Sequence, residues 1–349
     1  MQTTLDKPEI TTSADTSSAE PVVMLNRLVI EYPRMRRAIK YIDDCRRLSK
    51  EAQEPECMLI IGDSGVGKST IKNHYLSMNP PKETQKGMSI PVLAVTTPIP
   101  AKMDSIAAAM LSSLGDPLPN QGNLAAKTRR LYMLIKRCKV ELVFLDEFQH
   151  FIDRDRGNVL HTVADWLKNF ITETKVSVIL MGLPRCQDVL ESNEQLRRRF
   201  SSRLNILPFG WKATRRTEFK KFLSVLQDNL PIESSVSFAS DTVAERFWDA
   251  TKGNISQVLK IVKGAAFIAH SRASEKLEQE MLALAVEERL KLRGARGKIT
   301  VPQDNPFHPE WRYVPKQQFT TPPRTKLIDS GVDKAKTKRK LNEGLQQMF

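Results

Sequence analysis

The residues between Met58 and Thr70 combine an apolar run with a glycine-rich segment of the kind that binds phosphate groups. Their spacing follows GxxxxGK[ST], and the segment lies between an apolar run and residues that can open a helix. Glycines let backbone N–H groups point inward, and a helix N-terminus adds partial positive charge. Lys68 would reach the β- and γ-phosphates of a nucleotide, and the Ser69 hydroxyl would bind Mg²⁺. This context predicts a P-loop rather than a chance match, with the residues Gly62, Asp63, Ser64, Gly65, Val66, Gly67, Lys68, Ser69 and Thr70.

Two acidic residues, Asp146 and Glu147, follow a second apolar run, as in a Walker B strand. At the carboxyl end of that strand Asp146 would hold Mg²⁺, directly or through water, and Glu147 would polarise an attacking water. The pair therefore predicts an ATPase with ATP and Mg²⁺ as cofactors. His150 is either a sensor of the nucleotide or, as we favour, a histidine that satisfies local hydrogen bonds.

The rest of the chain alternates apolar runs with amphipathic segments up to about residue 210, and becomes wholly helical after residue 213. This pattern predicts an α/β fold, a parallel sheet sandwiched by helices, followed by a small all-helical lid. The predicted strands are 58–61, 90–96, 140–145, 176–182 and 204–209. We expect a disordered N-terminal tail at 1–21, a nucleotide-binding domain at 22–210, a lid at 211–292 and a basic, Pro-rich docking tail at 293–349.

The net charge of +14 indicates a polyanionic partner. From Trp311 onward, nine basic and three acidic residues carry +6 of that charge. This tail either docks a partner or only aids solubility. Four scattered cysteines without a CxxC pair indicate a reduced, cytoplasmic protein. The absence of a long apolar run in the sequence predicts no membrane segment.

Several arginines close the helix predicted before the last strand, among them Arg198, Arg199 and Arg203. They either form a solvated face or include an arginine finger for the γ-phosphate of a neighbouring subunit. Upstream of the P-loop, Tyr32 and Pro33 either form a simple turn or close over an adenine ring.

The order of P-loop, Walker B strand, following strand, arginine box and helical lid resembles the AAA+ ATPases. Within them, residues 22–290 look most like the TniB/TnsC transposition regulators, and Arg199-Phe200 is similar to the arginine-finger box. The segments that carry this resemblance are Tyr32-Pro33, 59–69, 146–150, 181–184 and Gly253-Asn254-Ile255.

Two departures from the AAA+ pattern bear on hydrolysis. The strand after Walker B ends in Met181-Gly182 where these ATPases usually carry a polar sensor, and Ser256 stands where many carry a lid arginine. Both differences predict slow hydrolysis, which suits a switch better than a motor.

The resemblance implies that ATP joins subunits head to tail into a homo-oligomer, a ring or helical filament around double-stranded DNA. The assembly would recruit a transposase and a target-selection protein and come apart on hydrolysis. Lys102 is the residue we expect to face the DNA, with contacts mainly to phosphates.

Other functions share part of this pattern. A replication initiator or helicase loader would have the same nucleotide residues, with an added DNA-reading wing that is not evident before the tail. A scaffold that only binds nucleotide would not need Glu147. A signalling NTPase of the apoptotic type would carry repeats after the lid.

Overall fold

The computed structural model describes residues 29–50, 52–85, 87–151, 158–191, 193–290, 305–309 and 311. By its contacts the chain divides into Met1–Trp311 and Arg312–Phe349, and every described residue belongs to the first unit. The predicted tail at 1–21 and most of the tail at 293–349 lie outside the described residues. Among the helices in the described ranges, none is long and apolar enough to span a membrane.

Nine strands and eleven α-helices follow one another in the described residues. The first part contains α1 (Pro33–Ser49), β1 (Met58–Ile61), α2 (Lys68–Met78), β2 (Lys82–Thr84), β3 (Gly87–Ser89), β4 (Val92–Thr96), α3 (Met103–Ser113), α4 (Leu124–Arg137), β5 (Leu142–Asp146) and α5 (Asn158–Thr174). The second contains β6 (Ser177–Gly182), α6 (Gln187–Glu191), α7 (Glu194–Arg199), β7 (Ser202–Asn205), α8 (Ala213–Asp228), β8 (Glu233–Ser234), α9 (Asp241–Thr251), α10 (Ile255–Ser271), β9 (Lys276–Leu277) and α11 (Gln279–Leu290).

A parallel sheet of five strands, in the order β4-β5-β6-β1-β7, forms the centre of the nucleotide-binding part. Strands β4, β5, β6 and β1 are mostly apolar because helices cover both faces of the sheet, whereas the edge strand β7 is mostly polar and partly exposed. Met58 and Ile60 on β1 face one core cluster, and Leu59 and Ile61 face the other, as the two-residue period of a strand requires. The predicted α/β fold with a helical lid is confirmed.

The prediction of the last strand at 204–209 was wrong, because β7 covers Ser202–Asn205. The residues after it leave the sheet for the lid: the Ile206 N–H still donates to Ile61 O at 2.7 Å, whereas the Phe209 N–H donates to Gly253 O at 2.9 Å. One apolar run can contain both the end of a strand and the start of a connection between domains. Its periodicity does not show where the strand ends.

A short segment beyond the lid helices packs into the lid, although we expected little fold there. Phe307 is fully buried, and its ring centroid lies 4.8 Å from that of Phe247 on α9. Asn305 Nδ2 donates to Ala283 O at 2.8 Å, and Arg246 Nη1 donates to Pro306 O at 2.7 Å. Residues 305–309 are thus part of the lid.

Candidate nucleotide-binding site

The P-loop joins β1 to α2 at the carboxyl edge of the sheet. Gly65 and Gly67 have φ values of 80° and 101°, in the left-handed region that glycine adopts without strain. Lys68 is 7% exposed, and its Nζ donates to Gly62 O at 2.7 Å and to Asp63 O at 2.9 Å. The ammonium group therefore lies within the curve of the loop, where it can meet phosphate oxygens. Burial lowers the pKa of Lys68, and the carboxylates of Glu147 and Asp146 oppose that shift.

A hydroxyl and a carboxylate meet beside the loop. Ser69 Oγ lies 3.5 Å from Asp146 Oδ2, at the end of β5. The same carboxylate oxygen lies 2.7 Å from Lys72 Nζ, in a pair that is almost wholly buried. Oxygen donors of this kind suit Mg²⁺, and the two predicted metal ligands are therefore adjacent. Lys72 was missed by sequence analysis, although it lies one helical turn from Lys68 on α2.

Glu147 follows Asp146 with a φ of 54°, a left-handed conformation that is unusual for a residue with a side chain. Its carboxylate accepts a hydrogen bond from Gln149 Nε2, and His150 Nε2 lies 4.0 Å from Glu147 Oε2. Strained backbone is frequent at functional sites, and Glu147 lines the same cavity as Lys68. The predicted base and the predicted phosphate ligand thus face one space.

That space is a cavity of about 530 Å³ between the P-loop and lid helix α10. It adjoins a second cavity of about 340 Å³ with a more apolar wall, and both are lined by Gly67, Thr70, Ile255, Leu259 and Lys263. The first also contains Ser64, Gly65, Ser69, Gln149, Ser256 and Lys260, and the second Val29, Ile30, Tyr32, Asn73, His74 and Phe222. A cationic chamber beside an apolar one matches the phosphate and base ends of a nucleotide.

Tyr32 provides a separate test of whether a nucleotide fits. Its hydroxyl is buried and has no hydrogen-bond partner among the described residues, yet it lines the apolar chamber beside Gly67. Burial raises the pKa of Tyr32 to about 12, against the lowering effect of Arg34. A polar ligand in the chamber would provide the hydrogen-bond partner that this hydroxyl lacks. Pro33 begins α1, whereas Val66 is core and does not line either cavity.

The lid is bonded directly to the P-loop through the start of α10. Asn254 Nδ2 donates to Ser64 O at 2.8 Å, and the Ser256 N–H donates to Gly65 O at 3.0 Å. A Cβ at Gly65 would lie 2.6 Å from Asn254 Oδ1, so this approach requires glycine. At the position where the resemblance predicts a lid arginine there is Ser256, and the lid's cations in the cavity are Lys260 and Lys263. Sequence analysis missed both lysines, which lie at helical spacing from Ser256.

The three candidate arginine fingers lie in different environments. Arg199 Nη1 donates to Lys168 O at 3.0 Å and to Thr172 Oγ1 at 2.8 Å, so its guanidinium holds α7 to α5. Arg198 is 77% exposed and pairs with Glu194, one turn away on the same helix. Arg203 is exposed on the edge strand β7. The environment of Arg199 argues against its use by a neighbouring subunit.

Lys102 is exposed at the N-terminus of α3, after the loop that follows β4. It therefore lies at the carboxyl edge of the sheet, the same edge as the P-loop. Within that loop, Ile99 is 75% exposed.

Comparison with known proteins agrees with this geometry. The chain is similar to Orc1 of Aeropyrum pernix, solved in complex with DNA, with 16% identity, a TM-score of 0.55, and coverage of 76% of this chain and 68% of that one. It is also similar to Aeropyrum pernix ORC2, solved in ADPNP-ADP complexes (16% identity, TM-score 0.56, 76% and 71% covered), and to Cdc6p of Pyrobaculum aerophilum (14%, 0.56, 78% and 71%). At such identities the likeness establishes the fold, which is that of an AAA+ P-loop NTPase.

No curated protein matches the sequence. A family model described as "Bacterial TniB protein" matches residues 24–208, which is more than half of the chain and includes the P-loop, Asp146 and Glu147. The chain belongs to the TniB family.

Proposed function

We propose that this protein is an ATPase that regulates DNA transposition by assembling on double-stranded DNA in its ATP state and leaving it after hydrolysis. The observation that carries the proposal is the direct contact between the lid and the P-loop within a TniB-family chain. A lid that bonds the phosphate-binding loop can change position according to the nucleotide. A nucleotide-dependent lid is what an ATP-controlled assembly requires.

The residues of the two chambers fit ATP with Mg²⁺. Lys68 and the loop N–H groups would bind the phosphates, while Ser69 and Asp146 would hold Mg²⁺. When bound, the metal neutralises charge on the phosphate oxygens. Tyr32, Ile255 and Leu259 would enclose the base end. Glu147 would accept the proton of the attacking water, which is the role of a general base.

Hydrolysis would need a cation from a second subunit. In place of Arg199 we propose Arg198 as the arginine finger, with Arg203 as the other candidate, because both side chains are exposed. Assembly of this type is head to tail, since neither Arg198 nor Arg203 is among the residues that line the two cavities of its own subunit. It produces a ring or a helical filament.

DNA is the polyanion that we propose for the basic surface. The net charge of +14 supports contacts to phosphates, and Lys102 at the P-loop edge is the residue proposed to face the duplex. The similar Orc1 was solved with DNA, which agrees with this proposal. We propose the transposase and a target-selection protein as partners of the assembly, and residues 293–349, apart from the lid segment 305–309, as a docking tail. The other domain boundaries are proposed as predicted, at 1–21, 22–210 and 211–292.

Electron microscopy of the purified protein tests the proposal, with duplex DNA and a non-hydrolysable ATP analogue. We expect rings or filaments on DNA with the analogue and none with ADP. Lys68→Ala should form none, whereas Glu147→Gln should form assemblies that persist with ATP. A protein that stays monomeric on DNA with either nucleotide would contradict the proposal. Assemblies that load a helicase but do not stimulate a transposase would favour an initiator-like role.

A further inference from the structure

Gln149 joins the end of β6 to the predicted general base. Its Oε1 accepts a hydrogen bond from the Leu183 N–H at 3.1 Å, and its Nε2 donates to a carboxylate oxygen of Glu147. The residue is 4% exposed and lines the phosphate chamber. Since a backbone N–H can only donate and a carboxylate can only accept, the two partners fix the orientation of the amide.

The space for this amide is provided by Gly182. A Cβ on Gly182 would lie 2.5 Å from Gln149 Oε1 and 2.5 Å from Cys186 Sγ, which is closer than real Cβ contacts. Cys186 Sγ itself lies 3.9 Å from Gln149 Oε1. Because Gly182 has no side chain, the end of β6 leaves room for the Gln149 amide.

The Glu147 carboxylate is partly exposed, so packing alone does not fix its position. It is 41% exposed, and the charged or titratable groups near it include Lys68, Asp146, Cys186 and His150, with Lys260 and Lys263 on the lid side of the same cavity. Of these, His150 lies 4.0 Å away, beyond hydrogen-bond distance. Gln149 provides the hydrogen bond that fixes the carboxylate.

We propose that Gln149 is a positioning residue that holds Glu147 and links it to the β6 turn, in place of the polar side chain missing from the end of β6. The inference rests on the proposed ATPase function. The arrangement makes the orientation of the base depend on the position of Leu183, which also lines the chamber. A ligand that moves this turn would then move the base.

The test compares Gln149→Met, which keeps the length of the side chain and loses both hydrogen bonds, with Glu147→Gln and the double variant. In Gln149→Met we expect kcat for ATP to fall about 10- to 100-fold, the cost of a misplaced catalytic group. The affinity for ADP should stay within about twofold, because the phosphate ligands are intact. In the Glu147→Gln background the same substitution should cause no further loss, since Gln149 acts through Glu147.

The control is Gln227→Met in the lid. The Gln227 amide also bridges two backbone groups, the Phe238 N–H at 2.7 Å and Val236 O at 3.2 Å, with no part in the chamber. This variant should lower the unfolding temperature and leave kcat unchanged. If Gln149→Met does not fold, Gly182→Ala displaces the amide without removing it and should give the same loss of kcat.

A second measurement needs no nucleotide: the hydrogen-exchange rate of the Leu183 backbone N–H, which donates to Gln149 Oε1. Its exchange should be about tenfold faster in Gln149→Met, because the acceptor is lost. A normal kcat in Gln149→Met, or a loss that multiplies with that of Glu147→Gln, overturns the inference. If Glu147→Gln itself hydrolyses ATP at the normal rate, the proposed base is wrong, and the proposed function fails rather than this inference alone.

Discussion

Lys72 and Asp146 form a buried ion pair at the place predicted for Mg²⁺. Their side chains are 12% and 3% exposed, and Lys72 Nζ lies 2.7 Å from Asp146 Oδ2. A buried carboxylate requires a cation, and the protein itself provides one. Binding of Mg²⁺ at Asp146 would therefore replace a charge that is already present, which limits the gain in stability from the metal.

The pair leads to a prediction for Lys72→Met. Removal of one partner of a buried pair leaves an uncompensated charge, so the free energy of unfolding should fall by about 3 kcal/mol without ligand. With Mg²⁺ and ADP the metal provides the missing charge, and the loss should shrink by at least half. Urea unfolding with and without Mg²⁺-ADP measures both values.

Lys127→Met is the control for that experiment. Lys127 is also buried, and its Nζ lies 2.6 Å from Asp104 Oδ2, a pair outside both cavities. The cost of losing it should be the same with and without Mg²⁺-ADP. An equal ligand effect in both variants would show that Mg²⁺ does not compensate the Asp146 charge.

Arg198 and Arg199 should respond differently to substitution by alanine. Arg199→Ala loses its hydrogen bonds to Lys168 and Thr172, and the free energy of unfolding should fall by about 2 kcal/mol. Arg198→Ala should leave stability within about 0.5 kcal/mol, since its one ion pair is exposed. On DNA, Arg198→Ala should lower ATP hydrolysis by a factor on the order of 10³, as for a lost arginine finger.

Mixed assemblies test whether the finger acts between subunits. Glu147→Gln subunits keep the finger and lack the base, whereas Arg198→Ala subunits keep the base and lack the finger. Each variant alone should retain only slow hydrolysis, and a mixture should hydrolyse ATP faster because the site of an Arg198→Ala subunit can meet an intact finger. A mixture as slow as its components would exclude Arg198 from this role and direct the test to Arg203.

At the scale of elements, the start of α10 has two roles. Asn254 caps the helix, with its Oδ1 accepting from the Gln257 N–H at 3.3 Å, and it also holds the P-loop through its Nδ2. Gly253 permits the turn before it, with a φ of 74° and a Cβ position only 2.0 Å from Phe209 O. One helix end thus holds the lid to the P-loop.

Asn254→Ala should separate the two roles when compared with Ser240→Ala. Ser240 caps α9 through the Val243 N–H at 3.4 Å and is not among the residues that line the chambers. Each variant should lose about 1 kcal/mol of stability from the cap. Only Asn254→Ala should also weaken ADP binding, by about fivefold for one lost hydrogen bond. Calorimetric titration with ADP measures this, and equal affinities in the two variants would contradict a link between this contact and nucleotide binding.

The sequence predicted those parts of the site that depend on local spacing. GxxxxGK[ST] and an acidic pair at a strand end are both local patterns, and each follows a strand of the same parallel sheet. Lys68, Ser69, Asp146 and Glu147 therefore lie close together at its carboxyl edge. Lys72, Gln149 and Lys263 lie close in sequence to motif residues, but the motifs assign no role to them. Only the contacts of the folded chain show that they reach the site. Phe307 is a similar case. A single aromatic residue in a Pro-rich segment does not predict a packed structure, and its burial depends on its contact with Phe247 on α9.

At the scale of the whole molecule, positive charge is distributed unevenly. The residues after Trp311 carry +6 of the net +14, and the unit Met1–Trp311 carries the other +8. Either part could supply the positive charge that binds a polyanion, and removal of the tail distinguishes the two. If the folded unit binds the duplex, a protein without residues 312–349 should still assemble on DNA with the ATP analogue and should lose stimulation of the transposase.

Salt dependence identifies the surface that meets DNA. Each phosphate contact adds about 0.9 to the slope of log K against log salt, because bound cations are released from the duplex. Lys102→Ala should therefore reduce that slope by about 0.9 per subunit, and should weaken binding equally on unrelated sequences since phosphates carry no base information. Lys136→Ala is the control, because this exposed lysine lies in the last turn of α4, which precedes the amino end of β5, and the variant should leave the slope unchanged. Fluorescence anisotropy with a DNA duplex from about 50 to 200 mM salt gives both slopes, and equal slopes for the two variants would remove Lys102 from the DNA-binding surface.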